Sequence, residues 1–180
     1  VTFHPTTLEI GKAKEHFQEL LDAVDDLKAT NIIFTKANSD TDGRIINQMI
    51  DEYVAKNNDK SVGFISLGQL RYLSAMKYID AVVGNSSSGL IETPAFKIGT
   101  INIGDRQKGR IKADSVIDSL PNKKCIKNSF KVLYSKKFQS ALKTLENPHG
   151  DGFSSKKIIK LLKTTRLDNI LKKSFDNLKF

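Results

Sequence analysis

Short apolar runs rich in β-branched residues alternate with stretches of helical periodicity along the first two thirds of the chain. Runs at 1–3, 31–35, 62–66, 81–84 and 100–103 have the length of buried strands. Between them, 13–27, 44–55, 67–77 and 90–96 read as helices. In the first helix Phe17, Leu20, Leu21, Val24 and Leu27 recur at helical spacing and mark a buried face. This alternation predicts an α/β fold, a doubly wound parallel sheet with right-handed crossovers. From about residue 121 the alternation stops. Residues 138–145 read as a helix ended by Asn147-Pro148. His149-Gly150-Asp151-Gly152 follows as a turn, and Ser154 or Ser155 is expected to cap a helix through Leu162. The last segment places Leu167, Ile170, Leu171, Phe175 and Leu178 on one face with lysines opposite, so it needs a packing partner. The opening Val1-Thr2-Phe3 reads as the middle of a strand, which points to the second half of a larger protein.

In a doubly wound sheet, ligands bind beyond the carboxyl ends of the strands. The loops expected there begin at His4, Lys36, Ser66, Gly84 and Gly104. They hold most of the unusual polar residues: His4, Asn38, Asp40, Asp42, Ser86, Ser87, Arg106 and Arg110. Most informative is 83–93, a buried strand end, a turn of small hydroxyl residues and the first turn of a helix. Free N–H groups and a helix amino end suit a phosphate, and the Ser86 and Ser87 hydroxyls add donors. Glu92, about one turn further in, can meet the hydroxyls of a ribose. Arg106, in a cationic loop after the next strand, can pair with a diphosphate through two parallel bonds. Together the two loops suggest a nucleotide diphosphate site. Each residue also has a plainer reading. Ser86 and Ser87 fit a helix cap, Glu92 a favourable charge in a first turn, Arg106 a surface cation, and His4 a solvated loop histidine.

Composition narrows the classes. The 180 residues suffice for one domain with a real core, and 39% apolar with 27% charged residues describes a globular chain. No apolar run approaches the roughly 20 residues that span a bilayer, so no membrane association is expected. Cys125 is the only cysteine, which excludes an internal disulfide and suits a reducing, cytoplasmic setting. The net charge of +9 is uneven. Residues 1–120 carry 14 basic and 16 acidic side chains, and residues 121–180 carry 15 and 4. Few aromatics interleave with the later lysines and no nucleic-acid motif is present, so they read as solvated helix faces.

Several sites are excluded by pattern. The chain lacks a Gly-x-x-x-x-Gly-Lys-Ser/Thr loop and a Gly-x-Gly-x-x-Gly fingerprint. No Cys/His cluster suggests zinc. Asn38-Ser39-Asp40-Thr41-Asp42-Gly43 has the look of a calcium loop, but its twelfth position is Met49 rather than glutamate. It reads as a turn and helix cap, with Asn38 facing the cleft. The paired Asp25-Asp26 reads as solvated helix surface.

Five segments in order carry a family resemblance: Thr2-Phe3-His4-Pro5-Thr6-Thr7, 38–43, Gly84-Asn85-Ser86-Ser87-Ser88-Gly89-Leu90-Ile91-Glu92, Asn102-Ile103-Gly104-Asp105-Arg106-Gln107-Lys108-Gly109-Arg110, and 147–152. The set resembles the C-terminal half of the hydrolysing UDP-N-acetylglucosamine 2-epimerases of the sialic-acid-pathway type, over most of residues 1–155. Non-hydrolysing sisters typically have Arg after the histidine and an Asp-Ser-Gly-Gly turn. Here Pro5 and Asn85-Ser86-Ser87-Ser88 stand instead. The resemblance implies a GT-B architecture of two Rossmann-like domains, with residues 1–165 as the UDP-binding domain and 166–180 as an amphipathic helix crossing to the N-terminal domain. It implies that Ser86, Ser87 and Arg106 hold the diphosphate and Glu92 the ribose, with His4 as a catalytic candidate and Asn38 beside it in the cleft. It implies elimination of UDP to a 2-acetamidoglucal and hydration to N-acetylmannosamine, without a metal or redox cofactor. The main proton-transferring carboxylates belong to the N-terminal domain, so this chain alone is expected to bind UDP weakly without turnover. The expected partners are a UDP-sugar substrate and further copies in a homo-oligomer. A diacetylated bacillosamine-type sugar, the donor half of a GT-B glycosyltransferase, and a non-catalytic nucleotide-binding module are the alternatives.

Overall fold

The computed structural model describes residues 1–6, 11–38 and 42–168. Their contacts divide the chain into two compact units, Val1–Pro148 and His149–Phe180.

The first unit is built on parallel strands. They are β1 (Ile32–Thr35), β2 (Ser61–Phe64), β3 (Ala81–Gly84), β4 (Gly99–Ile103) and β5 (Val116–Ser119). β1 pairs with β2, and β3–β4–β5 form a second parallel group. Thr2 joins the groups, bridging in parallel to Thr35 on one side and Gly84 on the other. Its N–H donates to the Val83 carbonyl at 3.0 Å, and Thr35 N–H donates to the Val1 carbonyl at 3.0 Å. Counting residues 1–3 as the first strand, the spatial order is 3-2-1-4-5-6, that of a doubly wound Rossmann-like sheet.

The helices are α1 (Ala13–Asp25), α2 (Gly43–Lys56), α3 (Gly68–Ala75), α4 (Ser88–Ile91), α5 (Lys123–Leu133), α6 (Lys136–Lys143) and α7 (Ser154–Thr164). α1 packs on α2 and α5. Its Phe17, Leu20, Leu21 and Val24 meet Phe3, Phe34, Ile50, Ile101, Ile126 and Phe130 in one buried core. Successive strand residues point to opposite faces. Ile101 therefore faces this core, while Thr100 faces the other way, where its hydroxyl donates to the Gly89 carbonyl at 2.7 Å. All five β4 residues are buried, as befits a central strand covered on both faces.

Three expectations from the sequence change. The alternation does not stop at residue 121: β5 and α5 continue it. The predicted helix over 90–96 is a four-residue α-turn, α4, followed by a 3₁₀ turn at Thr93–Phe96. Pro94 cannot donate into an α-helical ladder, which accounts for the break. Neither Ser154 nor Ser155 caps α7; Phe153 holds that position, with its N–H on Asp151 Oδ1 at 3.1 Å. Asp25 and Asp26 are exposed at the end of α1, as expected, and form surface ion pairs, Asp25 to Lys60 and Asp26 to Lys123 and Lys127. The expected helix over 166–180 falls largely on residues 169–180, outside the described residues. In the second unit α7 buries none of its residues. Among the described residues no helix is long and apolar enough to cross a membrane.

Gly84 stands where β3 meets the Thr2 segment, at φ 137°. A Cβ there would lie 1.8 Å from the Thr2 carbonyl oxygen, which is backbone and cannot swing aside. Gly84→Ala is expected to cost at least about 3 kcal/mol, combining backbone strain with a split in the sheet. Urea denaturation of the two proteins checks this; equal midpoints would mean that Thr2 does not occupy the gap.

Candidate functional site

The chain reverses direction across the sheet between residues 1–3 and β3, and the crevice of a doubly wound sheet opens at such a switch point. Asn85 is the first residue beyond β3 and is 1% exposed. Its N–H donates to the Thr2 carbonyl at 3.1 Å. Its side-chain Oδ1 accepts the His4 N–H at 2.7 Å while its Nδ2 donates to the His4 carbonyl at 2.8 Å. One planar amide thus replaces a rung of the sheet where backbone pairing ends. Its own carbonyl accepts from Gln107 Nε2 at 2.8 Å and from Arg106 Nη1 at 3.2 Å. Asn85 therefore fixes the 1–6 segment, the serine turn and the 104–110 loop against one another.

The serine turn follows. Gly89 lies so close to β4 that a Cβ would come within 2.7 Å of Thr100 Cγ2. The Thr93 hydroxyl donates to the Ser88 carbonyl at 3.2 Å, as Thr100 does to Gly89, so side chains anchor the short helix. A helix of four residues has little macrodipole. Anion affinity here rests instead on individual donors: no acceptor among the described residues meets the N–H of Ser86 or Ser87. Ser86 and Ser88 line a cleft of about 380 Å³, together with Glu92, Lys36, Tyr72 and the strand-end residues Thr2 and Thr35. Lys36 is held to the Asp51 carboxylate at 2.7 Å. The Tyr72 hydroxyl lies 2.5 Å from Ser88 Oγ. Burial, aided by the nearby Glu92 charge, raises the Tyr72 phenol above its ordinary pKa against the opposing Ser88 hydrogen bond.

His4 and Asn38 meet beside this cleft. The Asn38 N–H points at His4 Nδ1 at 3.2 Å, and Asn38 Oδ1 lies 3.1 Å from the same nitrogen. The backbone donor calls for a bare Nδ1 and the Oδ1 contact for a protonated one, so the ring tautomer decides which of the two bonds forms. Asp42 precedes α2, but its carboxylate accepts the Gly11 N–H at 3.3 Å and makes no cap bond to the helix. Residues 39–41, with Asp40, lie outside the described residues.

Of the six residues singled out from the sequence, Ser86 and Glu92 line the cleft, Ser87 stands at its serine turn, and Arg106 reaches the turn through the Asn85 carbonyl. His4 and Asn38 form a pair held to that turn through Asn85. Sequence reasoning passed over Asn85, Tyr72 and Gln107. A buried clamp and a cross-cleft hydroxyl leave no periodicity or motif. A larger cavity of about 680 Å³ runs beside β1 and β3 over Val1, Ile33, Met76, Val82 and Phe130. It shares Thr2, Thr35, Leu67 and Tyr72 with the cleft but holds no residue of the serine turn, so the smaller cleft, lined by Ser86 and Ser88, is the candidate site. Among the described residues no group of His, Cys, Asp and Glu could hold a metal ion.

A family model described as UDP-N-acetylglucosamine 2-epimerase matches residues 1–163. A GDP/UDP-N,N'-diacetylbacillosamine 2-epimerase (hydrolyzing) of Campylobacter jejuni is 45% identical over 179 residues, 99% of this chain and 46% of that protein. The polysialic acid biosynthesis protein P7 of Escherichia coli is 41% identical over 150 residues, 83% of this chain and 38% of that protein. The chain thus spans less than half the length of either relative. The UDP-N-acetylglucosamine 2-epimerase of Neisseria meningitidis, solved with UDP-GlcNAc bound, has a TM-score of 0.73 at 14% identity, covering 91% of this chain and 44% of that one. The fold is that of these GT-B epimerases.

Replacing Asn85 with leucine keeps its size and removes both bonds to His4. Asn85→Leu is expected to lose about 2–4 kcal/mol, since a partly buried N–H and a C=O lose their partners together. Chemical denaturation measures the loss, and amide exchange at His4 localises it.

Proposed function

The chain belongs to the UDP-N-acetylglucosamine 2-epimerase family, and from that premise we propose that it is the UDP-holding C-terminal half of a hydrolysing 2-epimerase. The observation that carries the reading is the Asn85 clamp, which sets the Ser86 and Ser87 amides, the Arg106 guanidinium and the Glu92 cleft around one strand-end crevice. The diphosphate takes the Ser86 and Ser87 N–H and hydroxyl groups and the Arg106 donors left over from Asn85. The ribose hydroxyls take Glu92.

The reaction starts with removal of the sugar C2 proton. The C1–O bond breaks with its electron pair leaving on UDP, giving a 2-acetamidoglucal. Water then adds across the double bond, its oxygen to C1 and a proton to C2 from the opposite face, to give N-acetylmannosamine. The donors of this chain stabilise the charge that develops on the departing diphosphate. His4, held beside Asn38, is the group of this chain placed to approach the sugar–phosphate junction. The carboxylates that move protons at C2 come from the N-terminal half, so this chain by itself holds UDP weakly and does not turn over. No metal or redox cofactor enters this scheme.

Residues 1–165 are the UDP-binding domain in this reading, and 166–180 cross to the N-terminal half. A second reading keeps the site and changes the sugar to a diacetylated bacillosamine, favoured by the 45% identity to the Campylobacter jejuni enzyme.

Two experiments test these statements. Calorimetric titration of UDP is expected to show binding that weakens roughly 100-fold or more in the Ser86→Ala/Arg106→Ala double variant, since each charge-assisted bond contributes about 1.5–3 kcal/mol. Unchanged binding would move the diphosphate elsewhere. Incubating the full-length protein with UDP-N-acetylglucosamine is expected to release UDP and free N-acetylmannosamine. A product still joined to UDP would mean a non-hydrolysing enzyme, and turnover of only the diacetylated substrate would favour the second sugar.

A further inference from the structure

Three hydroxyls from two sides of the cleft form a chain. Tyr72 rises from α3, and its Oη lies 2.5 Å from Ser88 Oγ at the start of α4. Ser88 Oγ lies 3.3 Å from Ser86 Oγ, and Ser86 Oγ also faces the Ser88 N–H at 3.4 Å. Each hydroxyl has one proton to give and two lone pairs to accept with. A backbone N–H can only donate, so Ser86 Oγ already accepts once. A phenol is a better hydrogen-bond donor than an alkyl hydroxyl, so Tyr72 donates to Ser88. Ser88 then spends its own proton on Ser86. Both acceptor positions of Ser86 are filled from behind, and its proton is left to point outward.

We propose that Tyr72 is a positioning residue for Ser86, its phenol heading a hydroxyl relay that holds Ser86 as a pure donor toward a bound phosphate. The inference rests on the reading that Ser86 meets the diphosphate. An anion takes only donors, so a hydroxyl whose direction is set beforehand binds it without first turning round. Glu92 lines the same cleft and, as a carboxylate, would otherwise compete for the serine protons. Burial and the Glu92 charge keep the Tyr72 phenol protonated, as the head of the relay requires. Neither Tyr72 nor Ser88 needs to touch the ligand for this role.

Titrations of UDP and of uridine into the full-length protein test the relay, with Tyr72→Phe, Ser88→Ala, Ser86→Ala and the double variant Tyr72→Phe/Ser86→Ala. Tyr72→Phe keeps the ring and deletes only the hydroxyl. It is expected to weaken UDP about 3- to 10-fold, the loss of one neutral hydrogen bond, and to leave uridine unchanged. Ser88→Ala cuts the relay in its middle and is expected to give the same pattern independently. In the Ser86→Ala background, Tyr72→Phe is expected to add nothing, because the relay then has no end group. No effect of Tyr72→Phe and Ser88→Ala, equal weakening of UDP and uridine, or additive losses in the double variant would each overturn the relay while leaving the diphosphate site standing. If Ser86→Ala itself leaves UDP binding unchanged, the site reading fails, and the relay falls with it.

Discussion

A single buried amide stands in for a missing rung of the sheet at the heart of this fold. Parallel strands run out of backbone partners at their carboxyl ends, and that is where a doubly wound sheet opens to ligands. Asn85 closes the gap from one side, matching the His4 N–H and C=O with an acceptor and a donor of its own. From the other side its carbonyl gathers Arg106 and Gln107. A carboxylate has no donor for the His4 carbonyl, and an aliphatic side chain has neither group. Amide chemistry at this position allows the serine turn, the histidine segment and the cationic loop to be both close and rigid.

The strand order explains why these parts converge. Residues 1–3 sit between β1 and β3, so the loops leaving all three strands share one rim. The connection from β4 to β5 contains no helix, and a bare crossover of that length is unusual in a compact domain unless it carries function. It brings Arg106 back over the rim. The larger hollow shares Thr2, Thr35, Leu67 and Tyr72 with the cleft but none of the serine turn, and volume alone would have pointed there.

Much of this was legible in the chain, for identifiable reasons. β3 was readable residue for residue as 81–84, because Ala81-Val82-Val83-Gly84 is a short apolar run stopped by glycine. α1 was readable because its apolar side chains recur over three turns. β5 was missed because Val116-Ile117-Asp118-Ser119 is an edge strand whose outer residue pairs with Lys112, which breaks the apolar run. α5 was missed because its lysines mask an apolar stripe of Ile126, Phe130 and Leu133. Ser86, Ser87, Glu92 and Arg106 stood out as polar residues at strand ends, whereas Asn85 and Tyr72 owe their roles to partners 81 and 16 residues away. Pairings of that kind exist only once the chain has folded.

The Thr2 segment has a kinetic meaning as well. Its partners lie 33 and 81 residues further along, so its contacts carry the greatest loop-closure cost in the sheet. The β1–β2 and β3–β4–β5 groups can each form from nearer neighbours, and non-local pairing of this sort tends to come late. The last seam to close is then the one along which the crevice lies. A chain that has formed both halves of its sheet without joining them has no crevice to offer. Occupation of the crevice counts only fully closed molecules, so any ligand there also acts as a clasp on the finished fold.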